Sequence, residues 1–168
     1  VVAFARAFHR SSIDATVVMV GGGEELGELQ GLAQADSRIE IKTFMTGQAL
    51  ADEVERADFL LNPRDPAWPG AAYSFPSKLF EYLRTGKPVL STRLRGIPAD
   101  YFPPLRPLDL ESQEAFERSL TLALAPDVEP ETVWRAAEHL GNRLTSKSVG
   151  AQLVARIRAW TVSGPTGP

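Results

Sequence analysis

Four short runs of apolar and β-branched residues, at 16–20 (TVVMV), 39–43 (IEIKT), 59–62 (FLLN) and 89–92 (VLST), alternate with longer stretches of helical periodicity. Short runs that are apolar at both parities, as in TVVMV and FLLN, belong to strands buried on both faces, which is how parallel sheets are built. Parallel neighbours must be joined by a crossover of roughly a dozen residues or more, usually a helix. The intervals supply such helices. Val1, Val2, Phe4, Ala5 and Phe8 recur at helical steps ahead of the first run, and Leu26, Leu29 and Leu32 follow it. Thr46 is a suitable N-cap for a helix carrying Leu50, Val54 and Ala57. Pro76 opens a helix that runs to Thr85 and is closed by Gly86 and Pro88. Further helices are predicted near 112–124, 130–141 and 147–160. Residues 63–75 and 93–110, the latter with four prolines, read as irregular. The expected fold is α/β, one domain over 1–162 with an open parallel sheet and helices on both faces, followed by a disordered Gly/Pro tail at 163–168. In such sheets the ligand crevice lies beyond the carboxyl ends of the strands. The loops after Val20, Thr43, Asn62 and Thr92 are therefore the places to search.

Composition removes several classes of function. The 168 residues carry a formal charge of −3 and no basic block, so a nucleic-acid surface, which needs clustered Lys and Arg, is not expected. With no Cys and only His9 and His139, neither a thiolate nor a His-built metal site is expected. No apolar run approaches the ~20 residues of a membrane helix. Residues 1–8 lack the layout of a signal peptide and there is no initiator Met, so the chain reads as a piece of a longer protein.

Two segments invite chemistry. Gly21-Gly22-Gly23 follows the first strand, but a dinucleotide fingerprint would need a third glycine at Leu26, and Gly27 is out of register. A tight turn is the better account, with backbone amides still able to approach a ligand. The second segment, YSFPSKLFEYL over 73–83, begins a helix after a buried strand and a long loop. A helix amino end carries about half a positive charge and accepts anions. Lys78 stands in that first turn, where the dipole opposes it, a misplacement that a bound phosphate would explain. Ser74, Ser77, Lys78 and Glu81 share a polar face, whereas Leu79 and Leu83 point inward. A carboxylate at Glu81 could accept hydrogen bonds from the 2′,3′-diol of a ribose. The bland alternative is a solvated face with a Lys78–Glu81 ion pair. Arg64, just past a strand end, could reach a phosphate or pair with Asp65. Trp68 reads as packing, and neither histidine is given a role.

The run FPSKLFEYL, then TGKPVLST, then GIPADYF, resembles the donor-binding half of the group 1 (family four) retaining glycosyltransferases, which have the two-domain, Rossmann-like GT-B architecture. The likeness follows the order of elements through nearly the whole chain and is specific from about residue 59 to 102. It implies that the full protein moves a sugar from a nucleoside diphosphate sugar, as co-substrate and with no separate cofactor or metal, to an acceptor hydroxyl. It implies that Glu81 binds the nucleotide ribose. The family's earlier acid, eight positions before, is replaced by Tyr73, a departure that bears on sugar contact. The amides at Ser74, Phe75, Pro76 and Ser77, with Lys78, would hold the diphosphate and sugar, and Phe44 and Met45 would flank the base. The resemblance further implies that the first strand of the domain, with its diphosphate-clamping cations, and an amino-terminal acceptor domain lie outside this chain. Cytoplasmic location follows from it, with peripheral membrane contact through the missing domain left open. The alternatives are a non-catalytic glycosyltransferase-like scaffold or subunit, for which Tyr73 speaks, and a nucleotide-sugar epimerase of the same architecture.

Overall fold

Val89–Thr92 (β4) is buried along its whole length and has a parallel neighbour on each side, Leu60–Asn62 (β3) and Leu105–Leu108 (β5). A second, two-stranded parallel sheet pairs Val17–Val20 (β1) with Ile39–Lys42 (β2). The computed structural model describes residues 1–73, 76–97, 105–125 and 138. The helices Val2–Arg10 (α1), Leu26–Ala35 (α2), Gly47–Arg56 (α3), Lys78–Leu83 (α4) and Gln113–Leu124 (α5) alternate with these strands, as the periodicity predicts. The predicted helices at 130–141 and 147–160 and the tail at 163–168 fall outside the described residues, Glu138 excepted.

Strand parity sends neighbouring side chains to opposite faces. Leu90 joins Phe4, Phe8, Val17, Ile39 and Phe116 in a core under α1 and α5. The adjacent Val89 joins Leu60, Leu79, Leu83 and Leu105 in a second core under α4, against which Val54 of α3 and Ala57 just after it pack. Helices therefore cover both faces. In the first core Phe4 stacks on Phe8 at 6.0 Å between centroids and meets Phe116 edge-on at 5.6 Å.

Three helices have their carboxyl ends closed by a cation from a strand or its approach. This satisfies carbonyls that have no partner within the helix and complements the dipole. The Arg38 guanidinium donates to the Phe8 and His9 carbonyls at the end of α1 (3.3 and 3.4 Å) and to Ile13 (2.8 Å). The Lys87 ammonium donates to the carbonyls of Glu55 and Ala57 at the end of α3, 2.7 Å each. Arg106 donates to those of Ala123 and Ala125 at the end of α5. Arg38 is itself held by Asp36 (2.8 and 3.0 Å), whose carboxylate also contacts His9 Nδ1 at 3.2 Å.

Four expectations need correction. The stretch 93–110 is not irregular throughout, because β5 runs through Pro107. Proline is confined to sheet edges, and β5 pairs only with β4 among the described residues. β1 is not buried on both faces, since Val18 is 40% exposed. Thr46 stands at the N-cap of α3, but its hydroxyl makes no cap bond. Gly47 follows at φ +60° and turns the chain out of capping geometry. The helix predicted from Pro76 to Thr85 is shorter, Lys78–Leu83, with Gly86 at φ +73° beyond it.

Two outcomes are expected. Phe116→Ala, which empties the centre of the first core, lowers unfolding free energy by about 3–5 kcal/mol in denaturant titration. The Arg38 hydrogen bonds hold the Asp36 carboxyl well below the usual carboxylate range. Its contribution is thus complete above about pH 4, the unfolded-state value, and fades as pH falls toward the folded-state value. The stability gap between the natural chain and Asp36→Asn should be widest at neutral pH and narrow below pH ~4.

Candidate functional site

The carboxyl end of β3 delivers the chain to a groove of about 830 Å3. Asn62, Pro63 and Arg64 line it from the loop after β3, and Pro76, Lys78 and Tyr82 line it from the entry and body of α4. The loop is fixed from the centre of the sheet. Thr92 Oγ1 donates to the Arg64 carbonyl at 2.7 Å, and the Asn62 amide donates to Ser91 Oγ at 2.8 Å. Ser91 and Thr92 are both buried, so the Arg64 backbone is held by the most enclosed strand of the fold while its side chain stays exposed.

Neither cation is spent on a neighbouring acid. Among the described residues no ion pair joins Lys78 to Glu81 or Arg64 to Asp65, and Asp65 instead accepts from the Ala67 amide at 2.8 Å. Two exposed cations thus share one cavity at a strand's carboxyl edge, which can attract and orient an anion carrying more than one charge.

The other predicted residues fall differently. Ser77, at the N-cap of α4, and Glu81 are exposed and do not line the groove. The polar face expected of α4 is therefore divided, with Lys78 and Tyr82, one turn apart, on the groove side and Ser77 and Glu81 outside it. Burial, and secondarily the Glu81 charge, push the Tyr82 hydroxyl above its ordinary pKa. Ser74 and Phe75 lie outside the described residues. Pro76 is fully buried and, having no N–H, cannot supply the amide expected of it. The amides of Leu79 and Phe80 bond back to the carbonyls of Pro76 and Ser77 at 2.9 and 3.2 Å. The Leu79 and Phe80 amides are therefore already spent within this helix end. Tyr73 is 93% exposed and Phe44 79% exposed; Met45 is half-buried; none of the three lines the groove.

Gly21, Gly22 and Gly23 line a separate pocket of about 200 Å3 beyond β1, with Val1, Met19 and Ile41. Gly21 and Gly23 hold φ of +137° and +149°, values that other residues rarely adopt, so the triplet is the turn its spacing suggested. Trp68 is half exposed and lies against Gly70, away from the groove. The groove residues that sequence reasoning missed are Asn62 and Tyr82, and with them the tether Thr92. The one available signal was that Tyr82 stands one helical turn from Lys78. Among the described residues no group of three or more acidic or His side chains is placed to hold a metal ion.

Residues 1–102 match the family described as "Glycosyl transferases group 1". No curated protein matches the chain. A solved structure that it resembles is AviGT4, a glycosyltransferase involved in avilamycin A biosynthesis, with 20% sequence identity and a TM-score of 0.60. The alignment covers 96% of this chain and 46% of that one, so the chain spans about half the length of AviGT4. At that identity the likeness establishes the fold, here the GT-B type, and the family assignment rests on the sequence match through most of the described strands. On those grounds the chain belongs to the group 1 glycosyl transferases.

Proposed function

We propose that this chain is the nucleotide-sugar-binding half of a retaining glycosyltransferase, and that Arg64 and Lys78 hold the diphosphate of the donor. The observation that carries this reading is that those two cations, without acidic partners among the described residues, line one groove, Arg64 just past the carboxyl end of β3. In the transfer the bond from the sugar's anomeric carbon to the diphosphate oxygen breaks. A bond to the acceptor oxygen forms, the acceptor loses its proton, and the nucleoside diphosphate departs with the electron pair. Positive potential fixed in advance at the leaving group lowers that barrier without rearrangement during reaction. Arg64 and Lys78 supply it with the Ser77 and Lys78 amides, and the bond from Thr92 keeps Arg64 in register. Glu81 is the group proposed for the ribose diol; its carboxylate is exposed and able to reach a ligand that extends out of the groove. The acceptor site and any catalytic base belong to the remainder of the full-length protein.

The test is calorimetric titration of the full-length protein with a panel of nucleoside diphosphates. Arg64→Ala and Lys78→Ala should each weaken binding by about tenfold, as expected for loss of one charge-assisted hydrogen bond. Unchanged affinity in both variants would overturn the diphosphate assignment. Glu81→Gln should weaken the ribonucleotide more than its 2′,3′-dideoxy counterpart, and equal losses would remove Glu81 from the ribose.

A further inference from the structure

Two turns beyond the carboxyl ends of β3 and β4 are joined to each other and to the core beneath them. In the first, the Ala71 amide donates to the Trp68 carbonyl at 2.8 Å; in the second, the Ile97 amide donates to that of Leu94 at 3.1 Å. The Gly96 amide donates to the Ala71 carbonyl at 3.2 Å and so links one turn to the other. Ala71, Leu94 and Ile97 are each at most 4% exposed and belong to the core under α4. Between these anchors, Trp68 and Arg95 are the exposed side chains. Loop residues held on a rigid scaffold in this way are suited to meet a ligand.

Trp68 is oriented as well as anchored. A β-carbon at position 70 would overlap the indole, standing at nearly equal distances from Cη2, Cζ3 and Cζ2, which places it over the ring's face and not at its edge. Gly70 does not hold a positive φ, so it is the ring, and not the turn, that requires glycine there. With one face seated on Gly70 and the residue 53% exposed, the other face is turned outward.

The electron-rich face of an indole is complementary to the C–H bonds on one face of a pyranose, which the ring oxygens polarise. Arg95, on the adjoining turn, makes no ion pair among the described residues. A guanidinium takes a phosphate or carboxylate through two parallel hydrogen bonds. Neither residue lines the groove assigned to the donor diphosphate, so a saccharide on these turns is a second one. We propose that Trp68 and Arg95 form a subsite for a pyranoside that carries an anionic group, Trp68 against the ring and Arg95 on the anion. That this sugar is a unit of the acceptor, beyond the reacting hydroxyl, rests on the glycosyltransferase reading above.

The test is titration of the full-length protein, by calorimetry and tryptophan fluorescence, with hexose 6-phosphates, hexuronic acids and methyl pyranosides of gluco, galacto and manno configuration. The phosphates and uronic acids separate the two anions, and inorganic phosphate probes the anion alone. Trp68→Ala and Gly70→Ala should each weaken the best anionic sugar by about tenfold or more, as loss of a stacked ring does. Trp68→Phe should hold affinity within about threefold while losing the fluorescence response. Arg95→Ala should weaken anionic sugars by about tenfold and leave methyl pyranosides unchanged. All four variants should keep their affinity for nucleoside diphosphates, and Arg64→Ala should keep its affinity for the anionic sugar, so either reading can fail without the other. Absence of binding by every anionic sugar up to about 10 mM would overturn the subsite. So would inorganic phosphate binding as tightly as the best sugar with Trp68→Ala without effect, which marks a plain anion site. Loss of the sugar in Arg64→Ala would assign it to the donor groove, and loss of nucleotide affinity in both Trp68→Ala and Trp68→Phe would make the ring a structural support; each overturns the proposal.

Discussion

β4 is the strand on which the remaining geometry depends. It is the one strand described with neighbours on both sides, and Val89, Leu90, Ser91 and Thr92 are at most 1% exposed. A strand so enclosed must satisfy every polar group it carries. Its two hydroxyls do so by reaching toward β3 and the loop that follows, Ser91 to the Asn62 side chain and Thr92 to the Arg64 backbone. The need to pair buried hydroxyls thus becomes the positioning of an exposed arginine. Structure and site are linked there by two short hydrogen bonds, not by proximity alone.

Basic residues fall into two populations. Arg38, Lys87 and Arg106 are consumed by carbonyls at helix ends, and Lys42 by Glu53 at 2.8 Å. Such pairs are architecture. Arg64 and Lys78 have no comparable assignment within the described chain and share a cavity. In a protein with net charge −3, cations left over from folding and placed together carry more meaning than basic residues elsewhere.

The strands β1 to β4 and the helices between them were legible because apolar runs of four or five residues have one economical home, a covered parallel sheet. β5 was hidden: Arg106 and Pro107 break the apolar pattern, and the proline is tolerable in a strand that pairs only with β4 among the described residues. Lys78 was legible as a misplaced charge in a first helical turn, and Arg64 as a cation past a strand end. The division of α4 was not, because Ser77, Lys78 and Glu81 are neighbours on any helical wheel, and the packing of Leu79 and Leu83 decides which of them turns toward the groove. The exposure of Phe44 and Tyr73 was equally invisible, since a sequence shows an aromatic ring but not what, if anything, covers it.

Arg106 has a consequence of its own. Its guanidinium is buried beneath the last turn of α5, 5.2 Å from the centre of the Phe59 ring, and its Nε has no partner among the described residues. Burial lowers its affinity for the proton, yet arginine starts so high that it stays ionised throughout the range in which proteins fold. Unlike Asp36, whose contribution acid can titrate away, this end of the molecule therefore keeps a permanent charge in its interior. The chain carries that electrostatic fixture into every environment it meets.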